Sequence, residues 1–98
     1  MNKFEEIVNA DVPVLVDFFA TWCGPCKMMH PVLEELHEKK GDNLKIIKID
    51  IDKNEALASS LKIQSVPTLM LFKNGELKWR ASGYHNAHDL EAKINEFA

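Results

Sequence analysis

Trp22-Cys23-Gly24-Pro25-Cys26 stands where a strand-like run gives way to a helical one. Before it lies Val14-Leu15-Val16-Asp17-Phe18-Phe19-Ala20, rich in β-branched and aromatic residues. It is apolar on both faces and reads as a central strand covered on both sides. After it comes Lys27-Met28-Met29-His30-Pro31-Val32-Leu33, where the apolar spacing becomes helical. The only two cysteines, Cys23 and Cys26, therefore sit at the first turn of a helix. Residues i and i+3 of a helix share a face, so the two sulfurs can close a small ring. The free N–H groups and positive dipole end at that turn favour thiolate, the reactive form of cysteine. A closable disulfide and a nucleophilic thiolate are the two requirements of dithiol–disulfide exchange. Strand, Cys-x-x-Cys and helix in that order predict an α/β fold built around a redox site.

The rest of the chain extends this pattern. Lys3 to Asn9 reads as a short helix with Phe4, Ile7 and Val8 on one side. The helix after the cysteines runs from about Pro25 to Lys40, with Met29, Val32, Leu33 and Leu36 as its core stripe and Gly41 as its stop. Pro31 lies inside it and is expected to kink it. Leu44 to Asp50 alternates Ile with Lys and Asp, as a second strand would. Asn54 is placed to cap a short helix carrying Leu57, Ala58 and Leu61. Pro67 opens a third strand, Thr68 to Phe72, and Asn74-Gly75 turns it into a fourth, Leu77 to Ser82. Asn86 caps a last helix with Ala87, Leu90, Ile94 and Phe97 on one face. The order is α-β-α-β-α-β-β-α. It predicts a central mixed sheet of about four strands flanked by helices, the first two strands parallel through a right-handed crossover.

Bulk properties narrow the function. The 98 residues are expected to form a single domain, 1–98. A net charge of −3 gives no footing for nucleic acid or an anionic membrane surface. Met1-Asn2-Lys3-Phe4-Glu5-Glu6-Ile7 has no apolar core of a secretory signal, and no run is long enough to span a membrane. The expected location is cytoplasmic, where a cysteine pair is redox-active or metal-binding rather than a structural staple. Zinc needs about four ligands, and His30 alone does not complete a tetrahedron with the two cysteines, so no metal is expected. His85 and His88 are spaced as an i, i+3 pair, but exposed histidines at that spacing are ordinarily solvated.

Cys23, first at the helix start, is the candidate nucleophile, more exposed than its partner. Cys26, one turn in and more buried, is the candidate resolving thiol. Gly24 and Pro25 tune the pair. Pro25 suits the first helical turn, where its missing N–H costs nothing. Asp17, a carboxylate inside an apolar strand, should have a raised pKa, unless it lies exposed at the strand end.

Asp17, Trp22-Cys23-Gly24-Pro25-Cys26-Lys27, Pro31, Lys48, Val66-Pro67-Thr68, Lys73-Asn74-Gly75-Glu76 and Gly83 occur in the order and spacing of the thioredoxin family. The resemblance runs from about Phe4 to the C-terminus. It implies the thioredoxin fold, here without the usual first strand, since only three residues precede Phe4. Without that strand Leu44–Asp50 is expected at an edge of the sheet, a short solvated edge in a monomer or a docking line for another strand. It implies a general protein disulfide reductase with no bound cofactor beyond the redox-active Cys23–Cys26 disulfide. Its partners would be disulfide-containing substrate proteins and an NADPH-dependent thioredoxin reductase. The resemblance assigns Asp17 as proton acceptor for Cys26 and Lys48 as the partner of Asp17. Pro25, where a histidine would make the pair more oxidising, favours a reducing couple. Trp22 would shield the disulfide. A cis Pro67 would set the Val66 backbone to pair with substrate, and Gly83 would leave room beside it, followed by Tyr84. Phe19, His30 and Tyr84 depart from the commoner family residues at their positions. Two other readings stand beside this one: a thiol oxidase or isomerase for an oxidising compartment, distinguished by reduction potential, and a binding module using the same groove without turnover. Double replacement of Cys23 and Cys26 by Ser separates the second from an enzyme.

Overall fold

The structure is a computed structural model and describes residues 3–98. Helix α1 (Lys3–Val8) leads into β1 (Val14–Phe19), α2 (Gly24–Lys40) and a 3-10 turn at Gly41–Asn43. Then follow β2 (Lys45–Asp50), α3 (Glu55–Ser60), β3 (Thr68–Lys73), β4 (Glu76–Ser82) and α4 (Ala87–Glu96). The strands form one sheet in the order β2-β1-β3-β4. β1 and β2 are parallel, with Asp17 opposite Lys48. β3 is antiparallel to both β1 and β4.

Strand alternation sorts the core into two layers. Leu15 of β1 and Leu69 and Leu71 of β3 pack against Met29, Leu33 and Leu36 of α2 and Leu90 and Ile94 of α4. Val14, Val16 and Phe18 point the other way, joining Met70, Phe72 and Val8. Phe4 covers that second layer, its ring edge-on to Phe72 at 5.6 Å and tilted against Phe18 at 6.2 Å. Asp17 shares the parity of Leu15. It therefore projects into the α2 layer, on the side of the cysteines.

Local signals account for most element ends. Gly41 takes φ +53 and its N–H bonds the His37 carbonyl, closing α2. The Asn86 side chain accepts the Asp89 N–H at 2.8 Å, opening α4. Asn74 and Gly75 both have positive φ, +53 and +80, as a two-residue hairpin requires. α2 continues through Pro31 as one element. Four buried residues, Met29, Val32, Leu33 and Leu36, hold it there, against the single ladder bond that proline removes. Asn54 departs from expectation. Its side chain makes no cap bond to α3; its Nδ2 donates instead to the Asp50 carbonyl at 2.9 Å, tying the turn that leaves β2.

β2 lies at the sheet edge as expected, and among the described residues no strand lies beyond it. Lys45 N–H bonds the Pro13 carbonyl at 3.0 Å and Ile51 N–H bonds the Phe19 carbonyl at 2.9 Å. Alternation then turns the amides of Ile46, Lys48 and Asp50 outward. Those three amides should exchange with deuterium roughly a hundredfold or more faster than the amides of β1 in dilute protein. Uniformly slow exchange along β2 would show that another part of the chain covers the edge.

Candidate functional site

Cys23 is the N-cap of α2, with extended backbone at φ −89 and ψ 117. Its sulfur accepts the backbone N–H of Cys26 at 3.2 Å, taking one of the unpaired donors of the first turn. Pro25 occupies the opening of the helix, where no intrahelical N–H bond is lost. The sulfurs of Cys23 and Cys26 are joined in a disulfide, with Cα atoms 5.3 Å apart. Exposure does not separate the two as anticipated: Cys23 is 5% exposed and Cys26 is 7%. The Cys23 sulfur is covered from the facing loop, where the Val66 carbonyl oxygen lies 3.6 Å away. The asymmetry between the cysteines is electrostatic, because only the Cys23 sulfur receives a helix N–H.

That facing loop carries the Val66–Pro67 peptide in the cis form. Pro67 is buried and Val66 half-buried, so the Val66 backbone lies beside the sulfurs. The Gly83 N–H donates to the Pro67 carbonyl at 2.8 Å, joining the loop before β3 to the end of β4. Gly83 has φ +90, and a Cβ there would meet nothing within 4 Å. The backbone conformation therefore calls for glycine, and the space beside it is open. Trp22 is 69% exposed, and its indole N–H donates to the Asp52 carboxylate at 2.9 Å. With Ile51, Ile63 and Val66 it walls a depression of about 310 Å³. Tyr84, next to Gly83, is also exposed.

Behind the disulfide, Asp17 is buried and its Oδ1 has no hydrogen-bond partner among the described residues. Burial pushes its carboxyl up from 3.8 to about 6, and the Lys48 ammonium only partly opposes this. Asp17, Cys26, His30 and Lys48 line one cavity of about 540 Å³. This cavity brings the carboxyl and the second cysteine to a shared space. Lys48 does not close an ion pair on Asp17. Its ammonium donates instead to Nδ1 of His30, and Nε2 of His30 lies 3.6 Å from the Glu34 carboxylate. A larger groove of about 640 Å³ lies between α1, β2 and α3, and neither cysteine lines it.

Known proteins resemble this chain in both sequence and fold. The sequence model of the family described as Thioredoxin matches residues 1–96. The chain belongs to the thioredoxin family. It is 45% identical to a thioredoxin of Rickettsia bellii over 91 residues, covering 93% of this chain and 87% of the relative. Mitochondrial thioredoxin 3 of Saccharomyces cerevisiae, solved in its oxidised form, superposes with a TM-score of 0.85 at 34% identity, covering 96% of this chain and 87% of that one. Another solved chain comes from work on the thiol-resolving mechanism of a yeast mitochondrial 1-Cys peroxiredoxin via glutathione/thioredoxin systems. It superposes with a TM-score of 0.87 at 31% identity, covering 98% of this chain and 89% of that one. This family member is a protein-disulfide oxidoreductase that works by dithiol–disulfide exchange through Cys23 and Cys26. Its partners are proteins that carry disulfides.

Two contributors to the site lie outside the candidates drawn from the sequence. Asp52 fixes the Trp22 indole from 30 residues away. Glu34 faces His30 at i+4 on α2, a spacing visible in the sequence but shared by many solvated pairs. The imidazoles of His85 and His88 take separate partners: His85 Nδ1 donates to the Gly83 carbonyl at 2.9 Å, and His88 faces Asp89. Among the described residues no group of three or more His, Cys, Asp or Glu is placed to hold a metal, and no helix is long and apolar enough to cross a membrane.

Proposed function

We propose that this single domain is a cytoplasmic, monomeric reductase of protein disulfides, recycled by an NADPH-dependent thioredoxin reductase and needing no bound cofactor. The observation that carries the residue roles is the Cys23 sulfur at the N-cap of α2, held by the Cys26 N–H with Asp17 behind. In the reduced protein the helix end stabilises the Cys23 thiolate. That thiolate attacks one sulfur of a substrate disulfide, forms a mixed disulfide and expels the other substrate sulfur as thiolate. Cys26 then gives its proton to Asp17 and attacks the Cys23 sulfur. The bond between Cys23 and the substrate breaks and the second substrate thiolate leaves. Two electrons have passed to the substrate, and the Cys23–Cys26 disulfide is the product. Lys48 is the nearby cation whose charge partly offsets the burial of Asp17 without pairing with it, and Gly24 and Pro25 keep the couple reducing by offering the thiolate no side-chain donor. Trp22, Val66, Pro67, Gly83 and Tyr84 form the groove for an extended substrate segment, in which the Val66 backbone pairs with the incoming chain. A net charge of −3 argues against nucleic acid or an anionic membrane as a partner.

Reduction of insulin disulfides, coupled to NADPH through a thioredoxin reductase, tests the whole reading. Sustained NADPH oxidation that depends on this chain is the expected result; none would overturn it. Limited alkylation of the reduced protein, followed by peptide mapping, tests the order of the thiols. Cys23 should be labelled well before Cys26, because its sulfur is the one the helix N–H stabilises. Equal labelling would contradict that assignment.

A further inference from the structure

His30 is exposed on α2, yet its two ring nitrogens face charged groups on both sides. Lys48 donates to Nδ1, and an ammonium has only donors, so Nδ1 is the acceptor. The ring proton then sits on Nε2, which faces the Glu34 carboxylate at 3.6 Å. The imidazole is thus oriented from its own helix, and it reaches across to β2. Lys48 lies opposite Asp17 in the sheet register and lines the same cavity. Its four-carbon stem lets the ammonium lie inward, on the carboxyl, or outward, at the cavity mouth. Here it lies outward, while Asp17 Oδ1 has no hydrogen-bond partner among the described residues.

We propose that His30 is a positioning residue for the Lys48 ammonium, holding it at the mouth of the cavity and off the Asp17 carboxyl. The inference rests on Asp17 being the proton acceptor for Cys26 only where it touches rate; the tether itself is independent of that role. The groups facing the tether are Asp17 from β1, Lys48 from β2, and Lys27, His30, Glu34, His37 and Glu38 from α2. With the ammonium held outward, Asp17 keeps most of its burial penalty and is protonated more readily near neutral pH. Released from His30, Lys48 would swing in, pair with the carboxylate and weaken Asp17 as a base.

The test is the titration of the Asp17 carboxyl carbon by NMR in the oxidised protein, where neither cysteine titrates. His30→Ala should lower the Asp17 midpoint by about one pH unit, because an opposite charge then comes close. His30→Gln, whose side-chain oxygen still accepts from Lys48, should stay with the wild type. Lys48→Met should raise the midpoint and remove the response to His30→Ala. An unchanged or raised midpoint in His30→Ala, or the same fall in the Lys48→Met background, would overturn the tether. The pH profile of mixed-disulfide release in the same variants separates the two readings. If the midpoint falls and the release profile moves with it, both stand. If the midpoint falls and the release profile does not move, the tether stands and Asp17 is not the proton acceptor.

Discussion

Cys23→Ser is expected to abolish insulin-disulfide reduction, lowering the coupled rate by more than about a thousandfold. A serine hydroxyl at the N-cap keeps the helix capped but is not ionised near neutral pH, so no nucleophile faces the substrate. Cys26 cannot substitute. It lies within the first turn, and its sulfur receives no helix donor comparable to the Cys26 N–H on Cys23. Cys26→Ser should fail differently. The first attack proceeds, nothing resolves it, and a mixed disulfide between Cys23 and the substrate accumulates. Non-reducing electrophoresis and intact-mass measurement of that adduct check the distinction. A Cys23→Ser variant retaining a tenth of the wild-type rate, or a Cys26→Ser variant that forms no adduct, would reverse the roles.

Asp17→Asn should slow mixed-disulfide release about 10²- to 10⁴-fold near neutral pH while leaving the first attack within a few-fold of wild type. The amide occupies the same space but cannot take the proton from Cys26. In the wild type the release rate should rise as pH passes through about 6, where Asp17 becomes ionised, and the variant should lack that rise. Stopped-flow measurement of both steps across pH 5–8 decides it; equal slowing of both steps would make the aspartate structural only.

The same variant carries a prediction about stability with a definite sign. The folded carboxyl sits at about 6, above its ordinary value of 3.8. The unfolded chain therefore releases this proton first as pH rises, and the folded state loses stability between those two values. The cost is absent in acid and complete above about pH 6, where it amounts to about 3 kcal/mol. Asp17→Asn should thus be more stable than wild type at pH 8, with the gap closing toward pH 4. Denaturant midpoints at the two pH values provide the check. A variant less stable than wild type at pH 8 would mean that the carboxylate has compensating partners.

How much of this could be read beforehand differs from residue to residue. The α2 stripe of Met29, Val32, Leu33 and Leu36 and the Asn74-Gly75 turn were legible because each is a local pattern with one good physical solution. Asn54 misled because the same side chain serves a cap or a turn, and the neighbouring Asp50 carbonyl, freed where β2 ends, took it. The burial of Cys23 misled as well. A residue at a helix start is exposed by default, and only the distant Val66 loop covers it. Lys48 was assigned to Asp17 through family likeness, whereas its ammonium is engaged by His30, a residue whose reach depends on how α2 lies over β2.

The sequence by itself determined the order of elements, the two-sided burial of β1 and the cysteine pair at a helix start. These follow from periodicity, turn chemistry and spacing, which act over a few residues. Only the tertiary structure decided which groups meet at the sulfurs and behind them. The Val66 carbonyl at Cys23, Asp52 on Trp22, and the Asp17 cavity lined by His30 and Lys48 each join residues from different elements. Such contacts are set by how helices seat on the sheet, and that seating is chosen by the whole core at once.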